Sequence, residues 1–194
     1  MKKKKIAIFA SGTGSNTEQL IKHFKGHPHI QIGLIISSSS KAAVVKLAEE
    51  NDIPFSVVNK SLLSNNSYMN SLLNLYDIEF IVLAGFIMLI PPFLVKQFDR
   101  RMINIHPALL PKYGGRGMFG LAVHQAVISS GDQLSGITIH YVNEMYDQGK
   151  TIFQTTCKVD RRDNAEKLSK KVLELEHKYL PEWTEKLVME MRYF

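Results

Sequence analysis

Two rhythms of apolar spacing trade places along the first half of this chain. Residues 5–10, 30–36, 55–58 and 80–84 are short apolar or β-branched runs; between them, 15–25, 41–51 and 64–76 carry apolar positions three and four apart, as at Val44, Leu47 and Ala48. Short runs read as strands and the wider spacing as helices. A repeating strand–helix alternation predicts a mostly parallel sheet with helices on both faces.

The most apolar window, residues 78–95, has the length of a membrane span but contains Glu79, Gly85 and the pair Pro91-Pro92. It is better read as a buried strand, a turn and a short helix. After a further strand at 102–105 the rhythm changes to a glycine-rich loop, a helix at 121–130, and strands at 136–142 and 151–159. The link between these last two is too short for a helical crossover, so they are expected to pair antiparallel at the far edge of the sheet. From about Asn164 a long amphipathic helix places Leu168, Val172, Leu175, Tyr179 and Leu180 on one stripe, with Pro181 expected to bend or divide it.

Composition narrows the setting. The 194 residues, 45% hydrophobic, suffice for one well-buried domain spanning 1–194, and no linker or repeat interrupts them. A single cysteine, Cys157, rules out an internal disulfide framework and belongs to no zinc-like spacing, so a reducing cytoplasm and no metal are expected. Lys2 to Lys5 precede an apolar stretch too short for a signal peptide. The net charge of +6 is dispersed except for those lysines, without the aromatic and basic ladder of a nucleic-acid surface. Neither nucleic acid nor membrane is expected as a partner, and a mild positive field suits an anionic small substrate.

Two motifs carry candidate chemistry. The first strand runs into Ser11-Gly12-Thr13-Gly14-Ser15-Asn16 and then a helix. Glycines there allow close backbone approach, the helix start offers free N–H groups, and Ser15 and Asn16 add side-chain donors, which together make an anion cradle. The same residues also fit an ordinary glycine turn near a helix cap. A dinucleotide fingerprint fits less well, because Thr17 takes the third glycine's place and no acid follows Ile36.

The second motif is Asn104-Ile105-His106-Pro107, with Asp147 in Tyr146-Asp147-Gln148-Gly149. Strand alternation puts Asn104 and His106 on one face at a strand mouth, where open α/β sheets bind ligands. A neutral amide donor, an imidazole that titrates near neutrality and a carboxylate to orient it suit acyl transfer. With no nucleophile elbow, direct attack by a substrate amine is favoured over a covalent acyl-enzyme. Singly, each residue also fits a structural role: a strand-end histidine, a turn acid.

Taken together, Ser11 to Asn16, Leu83-Ala84-Gly85-Phe86, the run from Asn104 through Pro111-Lys112-Tyr113, and Asp147-Gln148-Gly149 resemble the phosphoribosylglycinamide formyltransferases of purine biosynthesis, in order and over essentially the whole chain. The resemblance implies a Rossmann-like formyltransferase fold and transfer of a formyl group from the co-substrate 10-formyltetrahydrofolate to the amine of glycinamide ribonucleotide, without metal. It implies catalytic roles for Asn104, His106 and Asp147, and nucleotide contacts from Gly14, Ser15, Asn16 and Glu176. On the folate side it implies Ile87, Met88, Leu89 and Ile90, then Asn143, Glu144, Met145 and Tyr146, together with Asn104 and Asp147. His140 matches a further position near the reaction centre.

Met88 and Asn65 stand where some members of the family carry arginine, so a contact at Met88 is expected through backbone and a folate-tail contact at Asn65 is in question. The loop from Gly114 to Gly120 is glycine-rich enough to act as a mobile flap. Three alternatives share parts of the pattern. A methionyl-tRNA formyltransferase is expected to add a nucleic-acid-binding domain after the last helix, and a formyltetrahydrofolate hydrolase a regulatory domain before the first strand. A non-catalytic nucleotide-binding module would explain the glycine turn but not Asn104, His106 and Asp147. The oligomeric state is not fixed by the sequence.

Overall fold

The computed structural model describes residues 2–191; residue 1 and residues 192–194 of the expected 1–194 span lie outside the described residues. The element order is β1 (Lys4–Ala10), α1 (Ser15–Phe24), β2 (Ile30–Ser37), α2 (Ala43–Glu50), β3 (Phe55–Val57), α3 (Lys60–Leu63) and α4 (Asn66–Leu75). It continues with β4 (Ile78–Leu83), α5 (Pro92–Gln97), β5 (Met102–His106), α6 (Leu121–Ser130), β6 (Leu134–Tyr141), β7 (Thr151–Lys158) and α7 (Ala165–Glu190).

The seven strands form one sheet in the order β3-β2-β1-β4-β5-β6-β7. β1 to β5 pair in parallel, whereas β6 joins β5 and β7 joins β6 antiparallel, as the short final connection requires. Chain order reverses direction between β1 and β4, so the carboxyl ends of those two strands border a crevice that neighbouring connections leave open. This is the α/β arrangement the alternation predicts, with the antiparallel strands at the C-terminal edge.

Alternation along the central strands feeds two cores. Ile6, Ile8 and Ala10 of β1 face Leu20 and Phe24 of α1, Val44 of α2, Val127 of α6 and Leu168, Val172, Leu180 and Val188 of α7. Ala7 and Phe9 face the other way, toward Leu63, Met69, Leu73 and Leu94 of α3, α4 and α5 and Phe98 just after α5. A strand buried on both faces explains why the first run reads as continuously apolar rather than alternating.

Three local expectations change. A four-residue helix, α3, precedes α4; the Asn59 side chain caps it by accepting from the Leu62 N–H, and Asn65 in turn caps α4 by accepting from the Tyr68 N–H. α2 is shorter than residues 41–51. α7 runs undivided through Pro181, which is itself buried, because Leu180, Thr184 and Val188 continue the buried face on the next two turns. Burying that face outweighs the loss of about 3 kcal/mol that an interior proline entails. None of the described helices is long and apolar enough to cross a membrane.

Candidate active site

A cavity of about 670 Å³ opens at the carboxyl ends of β1, β4 and β5. One side is formed by the turn after β1. Gly14, at the N-cap of α1, has φ of +76°, which favours glycine, and a Cβ there would also crowd the Val44 Cα at 3.2 Å. No side chain caps α1, which leaves the first N–H groups of the helix unclaimed where Gly12 to Asn16 line the cavity. That is the geometry of an anion site.

Across from it, Glu176 projects from α7 and is only 8% exposed. It accepts a hydrogen bond from Asn16 Nδ2 at 3.1 Å, while Asn16 Oδ1 is buried without a partner. Burial pushes the Glu176 carboxyl up to about 7, the Asn16 bond opposing it. Such a carboxyl stabilises the fold while protonated, and that contribution is lost as pH rises from its ordinary 4.5 through about 7. The melting temperature is therefore expected to fall across that window, and Glu176→Gln to flatten the slope, as thermal melts over a pH series will read.

The floor holds the candidate chemistry. β5 places Asn104 and His106 two residues apart on one face, and the antiparallel register sets His140 of β6 directly opposite Asn104. Asn104 Nδ2 lies 3.1 Å from His140 Nε2 and 3.3 Å from Asp147 Oδ1. His140 Nδ1 sits 2.9 Å from the Tyr141 carbonyl, which can only accept, so Nδ1 carries the hydrogen and Nε2 receives the Asn104 amide.

Asp147 also lies 3.5 Å from His106 Nδ1 and 3.7 Å from His140 Nε2, and its Oδ2 accepts from the Gly115 N–H at 2.9 Å. Burial would raise its carboxyl, but the nearby His140 and His106 imidazoles and the Gly115 N–H together hold it below the ordinary carboxylate value. Its backbone is in the left-handed region, φ +55°, and the following turn closes at Gly149, where any Cβ would collide with the Tyr141 carbonyl oxygen. His106 is buried at 3% exposure, and burial pushes its imidazole below the ordinary 6.5 although Asp147 and the Tyr113 carbonyl pull the other way. A buried imidazole between a carboxylate and a fixed carbonyl, beside an amide donor, can move a proton and polarise a carbonyl oxygen.

The structure gathers Gly14, Ser15, Asn16, Ile87, Asn104, His106, Tyr146, Asp147 and Glu176 around this one cavity. His140 stands behind Asn104. Of the remaining folate-side residues, Met88 packs against the second core, Ile90 is buried in it, Leu89 is exposed, and Asn143 accepts from the Met145 N–H. Together with Glu144 and Asn65 they are outside the lining of the cavity. The glycine-rich loop supplies the outer wall, with Phe119 more than half exposed.

One lining residue escaped the sequence reading. His124, in the first turn of α6, is buried with Nδ1 unpartnered, and burial, with His106 nearby, pushes it down to about 4. Its signal was a lone histidine at a helical position facing the glycine loop. Among the described residues no group of three or more His, Cys, Asp or Glu is arranged to hold a metal ion.

The family described as Formyl transferase matches residues 4–184. The chain is 39% identical over 183 residues to a chloroplastic phosphoribosylglycinamide formyltransferase of Arabidopsis thaliana, covering 91% of this chain and 63% of that protein. It therefore spans under two thirds of the length of that plant relative. With the phosphoribosylglycinamide formyltransferase of Bacillus subtilis it is 34% identical, covering 92% of this chain and 91% of that one. The crystal structure of the Anaplasma phagocytophilum phosphoribosylglycinamide formyltransferase superposes with a TM-score of 0.87 at 30% identity, over 97% of this chain and 88% of that one. The chain thus belongs to the formyl transferase family, in its phosphoribosylglycinamide formyltransferase branch.

Proposed function

We propose that this protein acts as one formyltransferase domain that passes the formyl group of 10-formyltetrahydrofolate to the amine of 5'-phosphoribosylglycinamide in purine biosynthesis, yielding the N-formyl nucleotide and tetrahydrofolate. The observation that carries this reading is that a single cavity joins an uncapped helix N-terminus to the Asn104, His106 and Asp147 cluster. The phosphate is assigned to Gly14, Ser15 and Asn16, and the ribose side to Glu176. The flat heteroaromatic pterin ring can stack its faces on the wall that includes Phe86, Ile87, Met118 and Tyr146.

In the reaction the amine nitrogen attacks the formyl carbon and the carbon's bond to the folate nitrogen breaks. Asn104 donates to the formyl oxygen as negative charge gathers on it. His106, paired with Asp147, takes the proton from the attacking amine and returns one to the departing folate nitrogen, so protons balance. No acyl-enzyme is needed.

The direct test is spectroscopic: tetrahydrofolate-type product should form only when glycinamide ribonucleotide and the formyl donor are both present. Formyl release without the nucleotide would indicate a hydrolase instead. Asn16→Ala is expected to weaken nucleotide binding about tenfold, the loss of a hydrogen bond to a charged group, with kcat little changed, as titration calorimetry and steady-state kinetics will show. A chain with one cysteine, the half-buried Cys157, fits a reducing compartment, which we take to be the cytoplasm.

A further inference from the structure

The segment after the catalytic strand touches both members of the acid–base pair. The Tyr113 carbonyl lies 2.8 Å from His106 Nε2, and two residues on the Gly115 N–H reaches Asp147 Oδ2 at 2.9 Å. A carbonyl only accepts, so His106 carries a hydrogen on Nε2 and turns Nδ1, 3.5 Å away, toward Asp147. The turn that makes both contacts is unusual: Tyr113 has φ of +58°, a left-handed conformation uncommon outside glycine, and a Cβ on Gly114 would lie 2.5 Å from Leu110 Cδ2 and 3.2 Å from Asp147 Cβ.

Something must hold a tyrosine in that conformation, and its own side chain does so. The phenol donates to Asp132 Oδ2 at 2.7 Å and lies 2.5 Å from Ser130 Oγ, at the end of α6 and just beyond it. Asp132 is itself bound by Lys112 Nζ at 2.9 Å, so both residues of the Lys112-Tyr113 pair are fastened to one carboxylate. The ring packs against the core that includes Val127 and Ile137.

We infer that Tyr113 is a positioning residue for His106: its phenol, latched to Asp132 and Ser130, fixes the turn whose carbonyl selects the Nε2-protonated tautomer and whose following N–H aims Asp147. This rests on the reading of His106 and Asp147 as the acid–base pair. Beyond that reading, it makes a surface cluster outside the cavity part of the reaction's geometry. The substrate is not touched by Tyr113; the effect passes through the imidazole, in the way an outer partner fixes the ring nitrogen of a working histidine.

The groups that face His106 and share in its titration are Asp147 from the loop before β7, His140 from β6 and His124 from α6. Loss of a well-aligned Tyr113 carbonyl removes an interaction that raises the His106 imidazole, so its inflection in the kcat profile moves to lower pH.

Nitrogen-15 NMR of the intact protein reads the tautomer directly, with His106 assigned by difference against His106→Ala. In Tyr113→Phe we expect the Nε2-protonated population of His106 to fall, kcat to drop about tenfold with both KM values held, and the inflection to shift to lower pH. Asp132→Asn, which keeps an acceptor oxygen, should retain the parent tautomer, and Asp132→Ala should reproduce Tyr113→Phe; this pair carries the test if Tyr113→Phe does not fold. Parent-like ring nitrogens in Tyr113→Phe and Asp132→Ala, whatever their rates or melting temperatures, overturn the inference. So does an altered tautomer with unaltered kcat. Because the tautomer is read without turnover, full activity in His106→Ala would sink the catalytic reading separately.

Discussion

His106→Ala lowers kcat for formyl transfer by on the order of 10²–10⁴-fold, the usual worth of a positioned acid–base group, and leaves nucleotide-induced thermal stabilisation in place. The separation follows from where the residue sits. His106 is on the cavity floor at the end of β5, whereas the nucleotide side proposed above is the turn into α1 and the Glu176 face of α7. Removing the imidazole leaves the helix start and the Asn16 bond to Glu176 untouched. Steady-state assay of tetrahydrofolate formation gives the rate, and a melt with and without glycinamide ribonucleotide gives the binding. Full retained activity would remove His106 from the mechanism.

Asp147→Asn is expected to fall in the same range of loss, for a different reason. Its carboxylate takes the Gly115 N–H, faces the Asn104 amide and stands near both His106 and His140. An amide of the same shape can keep one or two of those contacts but not the charge. Since Asp147 raises the His106 imidazole against its burial, the uncharged variant should titrate His106 at lower pH still, and the acid inflection of kcat moves down with it. A pH–rate series separates this from simple misfolding, which would cut the rate at every pH without moving the inflection. Unchanged kcat across the series would overturn the role given to Asp147.

Much of this arrangement was legible in the residues. Strand alternation was enough to put Asn104 and His106 on one face, because β5 is regular and its period is two. The partnership with Asp147 was read from residue chemistry and resemblance, but the geometry that delivers it was not, since it depends on a left-handed residue in a loop between antiparallel strands, a conformation no periodicity announces. α3 escaped because four residues cannot display a helical period. Glu176 is a further case. It lies four residues from Val172 and four from Leu180, on the buried stripe itself, yet only the family resemblance singled it out, because an acid at that spacing reads equally as a solvated helix residue. The undivided α7 shows packing overruling local preference, since Pro181 forfeits a backbone bond and the face it belongs to remains buried.

The cavity draws its walls from two sources that share little structure. β5, β6 and the loop before β7 supply the groups assigned to the reaction, while α7 crosses the far side with Ser169, Val172, Leu173 and Glu176 spaced three, four and seven residues along one face. Ser169 and Leu173 make no contact with the Asn104, His106 and Asp147 network among the hydrogen bonds and ion pairs above. On the function proposed above, changes along this one helix face are expected to alter which amine is accepted while sparing the transfer chemistry, which makes α7 the place to alter when this scaffold is to be retrained on a different amine.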